Sequence, residues 1–186
     1  MFRNVFRAFL ALLFIILAPP AFAAASGSTG FYLGADAVFD GAGINAGSIG
    51  RAPKALYGVN LYGGYEVLQG ISVEAGYQGL FSAANLGSAT EQGVHGDVFF
   101  RVPLTDWADL KAGGGVNYTA SAATVTAFES INTYHSFNWG WHLSAGPELT
   151  VLPTVGWRTL LTYQQGGFGP FGTGDLIVSS GLAWHI

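Results

Sequence analysis

Glu74, Arg101, Lys111, Glu148 and Arg158 are set singly among apolar residues in a chain of which only 10% is Asp, Glu, Lys or Arg. Carboxylates and bases isolated in apolar surroundings are tolerated when they pair, so these five read as one ion-pair network shielded from bulk water. Glu66, Asp97 and Asp109, with His95 and His142, occupy comparable positions and extend it. The histidines show no metal-ligand spacing along the chain, so they read as polar lining, and no metal or cofactor is expected. His135-Ser136 is the one pair that offers hydrolytic chemistry, with Glu129 or Glu148 as orienting acid. Adjacent strand residues point to opposite faces, so the pair can share a proton only across a bulge, and no enzymatic activity is expected.

The elements that must position these groups are strands. From Leu56 to Phe81 the chain alternates: Tyr57, Val59, Leu61, Tyr65 and Val67 take one face, Asn60, Tyr62 and Glu66 the other. After Leu68-Gln69-Gly70 the pattern restarts, with Ile71, Val73, Ala75 and Tyr77 opposed to Ser72, Glu74 and Gln78. Roughly ten residues per arm at period two suit strands that cross a bilayer at a tilt, and charge on the second face implies a polar interior. A soluble sandwich would place its apolar face inside.

Six further segments repeat the pattern, near Thr29–Phe39, Gln92–Val102, Asp109–Thr119, His135–Leu149, Val155–Gln165 and Asp175–Ile186. The fold class expected is all-β: an eight-stranded antiparallel up-and-down transmembrane β-barrel over residues 26–186. The links alternate in length. Asp40–Lys54, Ser82–Glu91, Ala120–Tyr134 and Gly166–Gly174 read as long, Leu68–Gly70, Pro103–Asp106 and Thr150–Thr154 as short. Long external and short periplasmic links suit an outer-membrane barrel of a Gram-negative bacterium. Tyr65, Trp157 and Trp184 near the short links, and Tyr57, Trp139 and Tyr163 toward the long ones, form two aromatic girdles against outer-membrane lipid and lipopolysaccharide.

Composition agrees. Mean hydropathy of +0.38 and 15% aromatic residues are high for a soluble domain, yet the residues after 25 contain no run of about 18 apolar residues for a membrane helix. The apolar run at the start, Phe9 to Leu17, follows Arg3 and Arg7 and ends in Pro19-Pro20 before Ala21-Phe22-Ala23. This is the layout of a cleaved signal peptide over residues 1–25. Removing Arg3 and Arg7 leaves five basic against eleven acidic residues, a formal charge of −6, which disfavours nucleic acid as a partner.

Counted from the short links, Glu74, Arg101, Lys111, Glu148 and Arg158 lie at similar depth on strands three to seven. With strands about 4.8 Å apart, Glu74 is expected to reach Arg101, and Glu148 to lie between Lys111 and Arg158. Pro147 donates no ladder bond and could mark a bulge that turns Glu148 around. Five carboxylates against three bases make this interior net acidic, so any current would favour cations.

The hairpin Gly63-Gly64-Tyr65-Glu66-Val67 through Ile71-Ser72-Val73-Glu74-Ala75-Gly76-Tyr77, the short proline-containing turns and the closing strand Leu176 to Ile186 resemble the OmpA-like family of small eight-stranded outer-membrane barrels. The resemblance covers essentially all of residues 26–186. It implies a lumenal Glu, Arg and Lys cluster that acts as a gate, and a closing strand read by the barrel assembly machinery. Val178, Leu182 and Trp184 keep the required alternation, although the last residue is Ile186 where the family usually has Phe. No peptidoglycan-binding domain follows, so periplasmic tethering is not expected. Some barrels of this kind modify lipid A, but their pattern of His and Ser separated by one residue is absent. The function expected is a structural barrel that displays surface loops for interaction or adhesion to a surface ligand. The alternative is a small gated, weakly cation-preferring pore. Thr124 to Phe128 keeps some alternation, so strands five and six could continue past the membrane as a ribbon.

Overall fold

A computed structural model describes residues 30–40, 55–84, 87–127, 130–165 and 175–186. Residues 1–25, 41–54 and 166–174, within the segments read above as signal peptide and loops, lie outside the described residues. Eight strands follow one another: β1 (Phe31–Asp40), β2 (Leu56–Leu68), β3 (Ile71–Ala84), β4 (Gly87–Thr105), β5 (Ala108–Ala127), β6 (Ser130–Leu152), β7 (Val155–Gln165) and β8 (Asp175–His185). Each pairs antiparallel with its sequence neighbours, and β8 pairs with β1 to close the barrel. Closure satisfies the edge groups that an open sheet would leave unpaired in lipid.

The period of two becomes the two faces of the wall. Leu33, Val59, Leu61, Val94, Val116 and Leu161 stay half exposed on the outside, while Asp36, Glu74, Lys111 and Arg158 are buried inside. All six girdle aromatics, Tyr57, Tyr65, Trp139, Trp157, Tyr163 and Trp184, point outward. Several meet across strand pairs: Tyr65 lies 4.7 Å from Phe31, Tyr57 5.1 Å from Phe39 and Trp139 5.0 Å from Tyr118 between ring centroids.

Three links are two-residue turns, Gln69-Gly70, Asp106-Trp107 and Pro153-Thr154, each beside a register shift in the preceding strand. Gly70 has φ 79°, a left-handed conformation that favours glycine. Its N–H donates to Glu66 Oε1 at 2.9 Å, so a lumenal carboxylate also fastens the turn.

The segments Ser82–Glu91 and Ala120–Tyr134, expected as long loops, are mostly strand: β3 continues to Ala84, β4 begins at Gly87, β5 runs to Ala127 and β6 begins at Ser130. Their Ser, Thr, Ala and Val residues keep pairing in unbroken register, Gly87 with Val125 and Val125 with Asn132. Low charge and small residues permit strand as readily as loop, and pairing to a long neighbour decides for strand. Pro147 does not mark a bulge. Its pairing with Leu110 keeps the β5–β6 register, and Glu148 faces the lumen at 6% exposure.

Candidate functional site within the barrel lumen

The interior is built in layers drawn from alternate strands. Asp36 on β1, Glu74 on β3, Lys111 on β5 and Arg158 on β7 converge in one layer. β3 and β7 are on opposite sides of an eight-stranded barrel, so the pairing of Glu74 with Arg158 spans the lumen.

Arg158 is the hub. Its Nη1 donates to Glu74 Oε2 at 2.8 Å and Oε1 at 3.0 Å, and its Nη2 and Nε donate to Asp36 Oδ2 at 2.8 and 3.2 Å. The guanidinium carbon lies 3.4 Å from the Tyr62 ring centroid, so the cation is stacked as well as forked. Glu74 Oε1 also accepts from Lys111 Nζ at 2.5 Å and from the Tyr32 hydroxyl at 2.7 Å. Lys111 Nζ sits 4.8 Å from the Phe99 ring centroid and 3.5 Å from Glu148 Oε2. With Arg158 and Asp36 at 1% and 2% exposure, these charges are compensated by one another rather than by solvent.

The partners differ from those expected. Glu74 does not meet Arg101; Arg101 Nη2 pairs with Glu66 Oε2 on β2, and its Nε lies 3.8 Å from Asp109. Glu148 reaches Lys111 but not Arg158, which is taken by Asp36 and Glu74; the other side chain near its carboxylate is His185, at 3.7 Å. The expectation assumed that side chains meet those on adjacent strands. Here glycine on the intervening strand lets them reach across two.

Asp36, Gly181 and Arg158 stand in one row on β1, β8 and β7, and the Asp36–Arg158 pair closes over Gly181. Tyr32, Gly64 and Glu74 form the same row on β1, β2 and β3. Asp97, Gly115 and His142 form it on β4, β5 and β6. A Cβ at any of these glycines would run into the bridging side chain, Asp36 at Gly181, Tyr32 at Gly64 and Asp97 at Gly115. Asp36, Tyr32 and Tyr62 are therefore site residues that charge counting missed. The available signal was an inward glycine flanked in register by complementary residues. Asp40 and Glu91 are also buried, so the interior holds more carboxylates than the five expected.

A second layer, farther from the two-residue turns, draws on even strands. His142 on β6 pairs with Asp97 Oδ1, His95 Nδ1 lies 2.5 Å from Asp97 Oδ2, and His95 Nε2 lies 2.9 Å from Asn60 Oδ1 on β2. The absence of metal spacing along the chain therefore does not carry over to three dimensions: three potential donors on two strands lie together. This layer lines a cavity of about 50 Å³ with Glu74, Arg158 and Asn117 also on its wall. A smaller space of about 10 Å³ lies on the other side of Glu74 and Arg158, among Glu66, Arg101, Lys111 and His185.

His135 and Ser136 pair with Ala122 and Ser121 in unbroken register, so no bulge brings them to one face. Ser136 Oγ instead accepts from Asn138 Nδ2 at 2.7 Å.

Solved structures of other small barrels share this architecture. No curated protein matches the chain in sequence. Neisserial surface protein A has the same fold, with a TM-score of 0.64 over 87% of this chain and 100% of its own at 16% identity. The N-terminal β-barrel domain of Pseudomonas aeruginosa OprF gives 0.55 over 87% and 100% at 13% identity. Ail, the attachment invasion locus protein of Yersinia pestis, gives 0.56 over 84% and 97% at 13% identity. A family model described as the outer membrane protein β-barrel domain matches residues 8–177. The chain belongs to that family of OmpA-like barrels, located in the outer membrane of Gram-negative bacteria.

Proposed function

We propose that this barrel is a closed scaffold whose work is done by a strand ribbon raised above the outer membrane, for interaction with or adhesion to a surface ligand. The observation that carries the reading is the length of β4, β5 and β6, at 19, 20 and 23 residues against 10 and 11 for β1 and β8. Twenty residues at about 3.3 Å each span roughly 65 Å, well beyond an apolar band about 25 Å tall even at a 45° tilt. Outward residues are apolar or aromatic up to Val94, Tyr118 and Phe137, and become polar at Gln92 and His135. Val94 and Tyr118 are register partners, as are Tyr118 and Trp139, so the membrane boundary is one line across the three strands.

The ion layer favours a scaffold over the gated pore. Glu74 and Arg158 join opposite walls, and the cavities on either side are about 50 and 10 Å³. The attachment named for Ail is compatible with display by a barrel of this size. Outer-membrane lipid and lipopolysaccharide face the girdles. The outward alternation of Val178, Leu182 and Trp184 offers the barrel assembly machinery its strand signal despite the terminal Ile186.

The test is attachment of bacteria carrying the full chain to host-matrix-coated surfaces, compared with a variant whose β5–β6 ribbon is shortened by deleting residues 122–135. Surface attachment is expected to fall to background with the barrel still inserted. Unchanged attachment, or none with either chain, overturns the reading.

A further inference from the structure

We propose that His95, Asp97 and His142 bind one divalent transition-metal ion inside the barrel, zinc by the chemistry of the donors. The site lies on the far side of the Glu74–Arg158 bridge from the two-residue turns. Its donor atoms lie within 4.8 Å of one another. Two imidazoles and one carboxylate are the set that zinc takes at catalytic-type sites, with an open fourth position.

The three side chains are already gathered on one carboxylate. His95 Nε2 lies 2.9 Å from Asn60 Oδ1, and its Nδ1 lies 2.5 Å from Asp97 Oδ2. His142 meets the other oxygen of the same carboxylate, and its Nδ1 has no partner. One metal ion placed among these donors would join both rings and the carboxylate. Asn60 then serves as the outer partner that fixes the tautomer of a metal-bound histidine.

The surroundings are shaped for this cluster. Gly76 and Gly115 leave the space that the His95 ring and the Asp97 carboxylate occupy, since a Cβ on either would collide with them. The two imidazole planes stand at 83° with centroids 6.1 Å apart, so each ring presents an edge nitrogen to the carboxylate from a different direction. Tetrahedral donors around zinc lie about 3.3 Å apart, given Zn–N and Zn–O bonds near 2.0–2.1 Å. Both imidazole–carboxylate contacts, His95–Asp97 and His142–Asp97, would open by roughly 1 Å to admit the ion.

Asn117 is an independent observation that points to a ligand here. It is 5% exposed, lines the same cavity, stands in register with His95, and neither its Oδ1 nor its Nδ2 has a hydrogen-bond partner. A cavity of about 50 Å³ has room for a few waters, at roughly 10–15 Å³ each. A water in the fourth metal position would donate to Asn117 Oδ1. The ion would tie β4 to β6 across Gly115.

The chain, refolded into detergent micelles, would be loaded with Zn²⁺, passed through gel filtration and assayed for metal. X-ray absorption at the zinc edge would follow, in parallel with a His95→Ala/His142→Ala double variant. One equivalent retained, with outer-shell scattering from two imidazoles and loss of retention in the variant, is the expected result. No retention by the native chain overturns the proposal, as does equal retention by the variant, which would assign the ion to His135 or His185. Should the double variant fail to fold, the native spectrum decides: scattering without two imidazoles rejects the site.

Discussion

The two lumenal layers differ in how completely they satisfy their polar groups. In the odd-strand layer both oxygens of Asp36 and both of Glu74 accept hydrogen bonds, and Arg158 uses all three of its nitrogens. In the even-strand layer, one carboxylate faces two imidazoles, and among the described residues neither His142 Nδ1 nor the amide of Asn117 beside it on β5 has a partner. Both layers rely on a glycine between the bridging residues, Gly181 below and Gly115 above. The same wall geometry thus yields a closed ion network in one layer and a less completely paired cluster in the other. The difference is donor chemistry: a guanidinium presents a fork of donors to the acceptors around it, whereas an imidazole presents only two ring nitrogens.

Removing the hub should produce the largest effect. Among the described residues, Arg158→Ala removes the hydrogen-bond donor to Asp36, at 2% exposure, and leaves Glu74 with Lys111 and Tyr32. A loss of about 3–5 kcal/mol in urea unfolding from micelles is expected, the usual cost of a buried charge deprived of its partner. In planar bilayers the native chain should be silent, and Arg158→Ala should show discrete steps. Steps from the native chain would mean that the layer opens unaided.

Gly181→Val should follow. Its side chain would displace the Asp36–Arg158 pair and press on the Ala35 carbonyl, at a cost of about 1–3 kcal/mol by the same unfolding measurement. A value near zero would show that the bridge does not need the gap. Arg101→Ala should be the mildest. That side chain is 29% exposed and Glu66 keeps its bond to Gly70, so less than about 1 kcal/mol is expected. A larger loss would make the turn-side pair an equal member of the network.

Much of the wall was legible in the alternation of residues. The position of every strand, the inward facing of Glu66, Glu74, Asp97, Lys111, Glu148 and Arg158, and the outward facing of Trp139, Trp157 and Trp184 follow from a period of two. The lengths of β3 to β6 were not, because Ser, Thr and Ala carry little preference and a long neighbour recruits them.

Pairing inside the lumen was the least legible. By itself the sequence determined which residues enter the barrel, since side-chain direction is a local property of an extended chain. Only the tertiary structure decided which of them meet. Closure sets β3 opposite β7, so Glu74 finds Arg158 rather than Arg101, and glycines on intervening strands let Asp36, Tyr32 and His142 reach past their neighbours. Contact across a lumen depends on circumference and on the absence of a Cβ two strands away, and neither is written in the spacing of residues along one strand.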